Sequence, residues 1–258
     1  MTEVANGEVP KEASSSVVAQ HAATLQALPF SDTRDFDDAS RGFLGTLEHA
    51  RIESAQGRVV WSLEPYGFLS DEKAPLTVDP SLWRQSRLNM NHGLFEVVPG
   101  VYQIRGLDIA NMTLIEGDTG VIVVDTLTSI EGARAAMALY FQHRGKRPVA
   151  AVIFTHTHTD HWGGARGVID DAMLASGKVP IIAPNLFMEH AVSENIIAGP
   201  AMMFSETACS MNRLGAMIGM LPPASVSSSS TPRAPPQWSV WVWVKMTAAT
   251  GFLPRCVK

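Results

Sequence analysis

Two cysteines in 258 residues, Cys209 and Cys256, are too few for a disulfide framework. No run of eighteen or more apolar residues occurs, so the sequence offers no membrane-spanning helix. Basic residues are outnumbered, 20 Lys+Arg against 25 Asp+Glu, which leaves no electrostatic footprint for nucleic acid. The opening "MTEVANGEVPKEASSSVVAQ" has acids where a signal peptide needs positive charge, and no apolar segment follows. These absences together point to a cytoplasmic, reducing location. The sharpest absence is local. Residues 207–258 hold five Lys+Arg but no Asp, Glu or His, where ordinary usage gives roughly six acids.

What is present reads as a folded protein: 46% hydrophobic and 17% charged residues, on a chain long enough for one or two domains. Residues 1–30 have weak periodicity and read as a mobile leader. "DTRDFDDASRGFLGTLEHAR" predicts a helix, with acids at its start and Phe43, Leu44 and Leu47 at helical spacing. "GRVVWSL" predicts a strand. "DPSLWRQSRLNMNHG" predicts a helix capped by Asp79, with Pro80 first inside and Gly93 just beyond.

From Leu94 the period becomes two. Paired runs around Pro99-Gly100 and around Gly117–Gly120 predict two hairpins. Thr128 and Glu131 then form a T-x-x-E box opening a helix that stops near Gly145. "PVAAVIF" and "VPIIAP" read as buried strands, "GGARGVI" and "NLFMEHAVSENI" as helices. Hairpins followed by alternating strands and helices indicate a layered α/β domain. Residues 207–258 break this pattern: "PPASVSSSSTPRAPP" is low-complexity, and "QWSVWVWVK" carries three of the six tryptophans.

The chemistry concentrates in "FTHTHTDHWGG", Phe154–Gly164. At a strand end His156 and His158 are two residues apart and point to one side. Imidazole nitrogens bind zinc near 2.0–2.1 Å, so the pair is half of a tetrahedral site. Asp160 and His161 fall where the chain turns away and can face a second metal. Gly163 and Gly164 suit close backbone approach. Two adjacent divalent ions activate a bridging water and steady a leaving oxygen. The opposing reading is a solvated, His-rich loop. His21, His49, His92 and His143, each alone in the sequence, read as surface or capping residues.

This H-x-H-x-D-H pattern resembles the metallo-β-lactamase superfamily. "DFDDASRGFLGTL", "PSLWRQSRLNMNHGLFEVVPGVYQIRGLDIANMTLIEGDTGVIVVDTLTS", "THTHTDHWGGARG" and "ENIIAGPAMM" are similar to its alkyl sulfatase branch, over about Phe30 to Met203. The resemblance implies an αββα sandwich and a di-zinc hydrolase of sulfuric esters of long-chain alcohols. His156 and His158 would hold one zinc, Asp160 and His161 the other. Asp125 would hold a ligating histidine from behind, or else simply end its strand.

In that family further acidic ligands and a histidine come from well downstream. Here only His190, Asp170, Asp171, Glu189, Glu194 and Glu206 follow His161, and none lies where the family places those ligands. The family's arginine pair and tyrosine after "AMM" are replaced by "FSETACSMNRLG". Its dimerisation segment and sterol-carrier-like domain have no counterpart. The expectation is therefore a leader at 1–30, the N-terminal half of the sandwich at 31–206, and an aberrant tail at 207–258 of the kind a shifted frame or altered splice produces. The chain would be a truncated zinc-dependent hydrolase of a small-molecule ester, with at most one zinc held. A homo-oligomer stays open. Two alternatives stand beside it. One is a non-catalytic metal-binding or interaction protein. The other is a thioesterase or lactonase of the same superfamily, completed by a partner.

Overall fold

The computed structural model describes residues 11–194. Two helices come first, α1 (Ser15–Ala27) and α2 (Arg34–Ser40), then strand β1 (Phe43–Gly45). The short pair β2 (Ile52–Glu53) and β3 (Val59–Trp61) forms a separate ribbon, and helix α3 (Pro80–Asn89) follows. Strands β4 (Gly93–Val98), β5 (Val101–Arg105), β6 (Met112–Glu116) and β7 (Val121–Val124) then run as an antiparallel meander. Helix α4 (Ile130–Arg144) crosses to β8 (Val149–Ile153), and β9 (Ile181–Ile182) completes a seven-stranded sheet in the order β1-β4-β5-β6-β7-β8-β9. From β7 onward the pairing is parallel, as a helical crossover requires.

Both hairpins form at the expected turns. Gly100 takes φ +84, the left-handed region that a residue with a Cβ enters at a cost. On β5 the alternation is plain: Tyr102 and Ile104 are buried while Val101, Gln103 and Arg105 are half-buried. That buried face packs under α4 with Leu94, Met112, Leu114, Val121 and Val123, while Ile122, Ala151 and Ile182 form a smaller cluster on the opposite face. The described residues thus supply one helical layer and one sheet of the expected sandwich.

Helix α4 is locked at both ends. Its N-cap is Ser129, whose Oγ accepts from Gly132 N at 3.0 Å; the T-x-x-E reading put the cap one residue early, because Thr128 is engaged elsewhere. At the other end Tyr140 Oη donates to Glu116 Oε1 at 2.9 Å, and Arg144 forks onto the same carboxylate with two bonds of 3.0 Å. This ties the helix to the end of β6.

One expectation is corrected, and the leader expected at 1–30 is described from residue 11 on. The part of the leader that is described contains α1, capped by Ser14 and tied to the body by His21 Nδ1 against Leu76 O at 3.1 Å. None of its residues is buried, which is why its periodicity was weak. The helix expected through Phe43 and Leu47 ends instead at Ser40. Gly42 takes φ +73, and Phe43–Gly45 pairs as β1 with β4. A Cβ on Gly42 would meet Glu96 O at 2.0 Å, so the close passage to β4 overrides helical spacing. The end of the helix expected over "NLFMEHAVSENI" and the whole tail 207–258 lie outside the described residues; residues 187–194 are helical.

The Glu116 cluster makes a pH prediction. The Arg144 hydrogen bonds hold its carboxyl below the ordinary value of 4.5, outweighing the upward push of burial. A carboxyl depressed in the folded state contributes stability above its unfolded pKa and loses it as pH falls. Glu116→Gln should lower Tm at pH 7 and flatten the fall in Tm between about pH 5 and pH 3. Parallel Tm profiles for the two proteins across that window would contradict the assignment.

Candidate functional site

Because β7 and β8 are parallel and adjacent, their carboxyl ends emerge side by side, the position where open α/β sheets place their sites. Val124 is level with Ile153, so Asp125 leaves the sheet beside Phe154 and Thr155. Asp125 N donates to Ile153 O at 2.8 Å, and Thr155 N donates back to Asp125 Oδ1 at 2.8 Å. The chain then bends sharply on both sides. Asp125 and Leu127 both adopt left-handed backbone, φ 58 and 64, at a cost of about 1–3 kcal/mol each. After β8, His158 ends the extended run, and helix α5 (Thr159–Trp162) carries Asp160 and His161 back toward Asp125.

The structure brings all four cluster residues together with Asp125. The ring centroids of His156 and His158 are 4.7 Å apart, those of His156 and His161 3.9 Å. Proton bookkeeping shows what such a cluster is for. An ionised carboxylate only accepts. Asp125 Oδ2 therefore receives Thr155 Oγ1–H at 2.8 Å and His161 Nδ1–H at 2.7 Å. With its one proton committed, Thr155 Oγ1 accepts from His156 Nδ1 at 2.9 Å. His158 Nε2 donates to Glu194 Oε1 at 2.8 Å.

Each outward nitrogen is thus a donor, and a ring that holds a single proton keeps its lone pair on the inward one. His156 Nε2 faces His158 Nδ1 at 3.0 Å, and His161 Nε2 faces Asp160 Oδ2 at 3.4 Å. With one proton per ring, acceptor faces acceptor in both pairs. Such pairs repel unless a proton or a cation sits between them. Burial, reinforced by the neighbouring rings of His161 and His158, pushes the His156 pKa down and disfavours the proton.

The donor set fits a metal. Two ligands about 2.0–2.1 Å from one tetrahedral ion lie about 3.4 Å apart, close to both observed spacings. Among the described residues no three such donors already converge on one point, so the pairs are two half-sites as they stand.

Glu194 is the residue that sequence reasoning set aside. It accepts from His158 and also from Thr157 Oγ1 at 2.7 Å. Phe187 stacks on Phe154 at 5.5 Å and meets Trp162 edge-on at 6.0 Å, which seats the helical run 187–194 against the site. Glu194 lies seven residues on, on the same helical face. Only that periodicity could have hinted at it. The isolated histidines bond elsewhere: His92 Nδ1 with Thr46 Oγ1 at 2.6 Å, His49 beside Glu48 at 3.9 Å.

The model of the metallo-beta-lactamase superfamily matches residues 105–239, just over half of the chain. An (R)-specific secondary-alkylsulfatase of a Pseudomonas species is 55% identical over 192 residues, 74% of this chain and 29% of that protein. An alkyl/aryl-sulfatase of Saccharomyces cerevisiae is 50% identical over 192 residues, 74% of this chain and 30% of that protein. The solved structure of a stereoselective inverting sec-alkylsulfatase from Pseudomonas superposes with a TM-score of 0.69 at 55% identity, covering 74% of this chain and 30% of that one. The chain therefore spans about 30% of the length of the curated relatives it matches.

Gly164 tests the packing behind the site. A Cβ there would lie 2.1 Å from Thr126 O and 2.6 Å from Ser129 O, with no flexible side chain to yield. Gly164→Ala should destabilise the fold by about 1–3 kcal/mol, as overpacking does, read as a lower urea midpoint. An unchanged midpoint would mean that α5 does not abut the Thr126–Ser129 turn.

Proposed function

For a chain that belongs to the metallo-beta-lactamase superfamily, we propose metal-dependent hydrolysis of sulfuric esters as the chemistry of this site. The observation that carries the reading is the facing of His156 Nε2 with His158 Nδ1 at 3.0 Å and of His161 Nε2 with Asp160 Oδ2 at 3.4 Å. A cation seated between the facing groups would satisfy both pairs at once. His156 and His158 would be the main hold, with Asp160 or His161 completing three or four ligands around one zinc. A bound zinc lowers the pKa of water toward neutrality and polarises an ester oxygen.

The chain's own residues prepare the site for that. Asp125 and Glu194 fix the tautomers and ring orientations of His161 and His158 through their far nitrogens, the arrangement that raises ligand basicity. Thr155 does the same for His156. Asp160 Oδ2, facing His161 Nε2, stands where it can take a proton or a ligand position. The names of the similar proteins favour a sulfuric ester of an alcohol as substrate. In this reading residues 31–206 are part of a metallo-β-lactamase-like domain, and 207–258 are a segment of different character.

A second reading has one observation behind it: no three donors converge among the described residues. The chain would then bind a metal without turning over substrate. Among the described residues no helix is long and apolar enough to cross a membrane, which suits either reading.

Elemental analysis after dialysis should find one zinc per chain. His156→Ala or His158→Ala should abolish its retention, and Glu194→Gln should weaken it by about 10–100-fold. Sulfate release from dodecyl sulfate, sensitive to chelator and lost in His158→Ala, separates the hydrolase from the metal-binding reading. A wild-type chain that retains no zinc, or a His158→Ala chain that retains it equally well, would end both.

A further inference from the structure

Asp108 sits in the connection between β5 and β6, buried at 9% exposure, and none of the residues proposed to hold metal touches it directly. Its bonds run to a different loop. Asp108 Oδ2 accepts from Thr128 N at 2.9 Å, Oδ1 accepts from Thr128 Oγ1 at 2.7 Å, and Oδ1 also accepts from Ile109 N at 2.7 Å. Burial pushes this carboxyl pKa up, and the Thr128 hydroxyl and amide are foremost among the bonds that oppose it. A buried carboxylate is worth keeping only where its bonds do something that apolar packing cannot.

What it clamps is the strained turn. Asp125 and Leu127 are both left-handed, and neither is glycine. Such backbone persists only where its surroundings over-determine it, and it clusters at functional sites. Thr126 N is held by His161 O at 2.8 Å, and Leu127 O by Gly164 N at 2.8 Å, but both partners belong to the segment the turn itself positions. Asp108 approaches from outside that pair of segments. Register explains how it can: Thr113 is level with Val124, so the β5–β6 connection and the turn after β7 emerge at one edge of the sheet. Helix capping does not account for the contact, since Ser129 already caps α4.

We propose that Asp108 is a positioning residue for the candidate site: by clamping Thr128 it holds the left-handed turn that aims Asp125 at His161 Nδ1. This rests on the reading of His161 as a metal ligand, but the clamp has a signature that needs no metal. With Asp125 in place, His161 carries its proton on Nδ1 in a carboxylate bond. When the turn relaxes, the ring is free to rotate and change tautomer.

The test uses the full 258-residue chain in three variants: Asp108→Ala, Thr128→Val, which removes one of the two clamping bonds, and Thr128→Ser, which keeps both. Zinc affinity is read by competition with a chromophoric chelator, and ligand geometry by the visible spectrum of the cobalt-substituted chain. The His161 imidazole N–H resonance is followed in metal-free, nitrogen-15-histidine-labelled protein. Asp108→Ala should weaken zinc about tenfold or more, alter the cobalt spectrum and broaden or remove the resonance. Thr128→Val should do the same to a smaller degree, and Thr128→Ser should match wild type. If Asp108→Ala does not fold, Thr128→Val carries the comparison. Lower Tm with wild-type zinc affinity, cobalt spectrum and resonance would make Asp108 structural only and overturn the proposal. So would weakened zinc with the resonance intact. If the wild-type chain binds no zinc yet loses the resonance in Asp108→Ala, the metal reading fails while the clamp stands.

Discussion

The bond between Asp125 and His161 is the constraint on which the site depends. At 2.7 Å it joins the end of β7 to helix α5 through side chains, and Thr155, just beyond β8, adds a backbone and a hydroxyl bond to the same carboxylate. A carboxylate this buried would carry a large desolvation cost if left alone. Three donors offset that cost, and in doing so they place the protons of Thr155 and of His161 Nδ1. The orientations of His161, and through Thr155 of His156, follow from this acceptor, while that of His158 follows from Glu194.

The fold bears a second cost for the same purpose. The left-handed pair Asp125 and Leu127 could be relaxed by glycine, yet a flexible turn would let Asp125 swing away from His161. The chain instead keeps side chains there and surrounds the turn with bonds from α5, from Gly164 and from the β5–β6 connection. Close passage is bought with glycine elsewhere: Gly163 and Gly164 bring α5 against Thr126–Ser129, where any Cβ would collide with carbonyl oxygens. Rigidity and proximity are assigned to different residues.

Glu194 shows the same logic from the other side. It belongs to a helix that touches the site only because Phe187 finds Phe154 and Trp162. Apolar packing thus delivers a carboxylate to His158, and the ring is fixed from behind as His161 is by Asp125. The similarity to alkylsulfatases covers 74% of this chain but about 30% of their length.

Much of this was legible beforehand. Alternation of period two marked both hairpins, Asp79-Pro80 marked the start of α3, and the spacing of His156, His158, Asp160 and His161 marked the cluster, because each depends on neighbours within a few residues. The misreadings have one origin. Phe43 and Leu44 kept helical spacing with Leu47 but were drawn into a strand by pairing with β4, about fifty residues away. Thr128 carried a capping signal but gave its hydroxyl to Asp108. Asp125 could be read two ways, as a strand end or as a support for histidine, and the fold made it both. Glu194 was one acid among several until a helix face packed. Local periodicity and residue chemistry determined which groups could serve a metal. Which of their nitrogens face inward was decided only when distant carboxylates, brought by the sheet and its crossovers, took the protons on the other side.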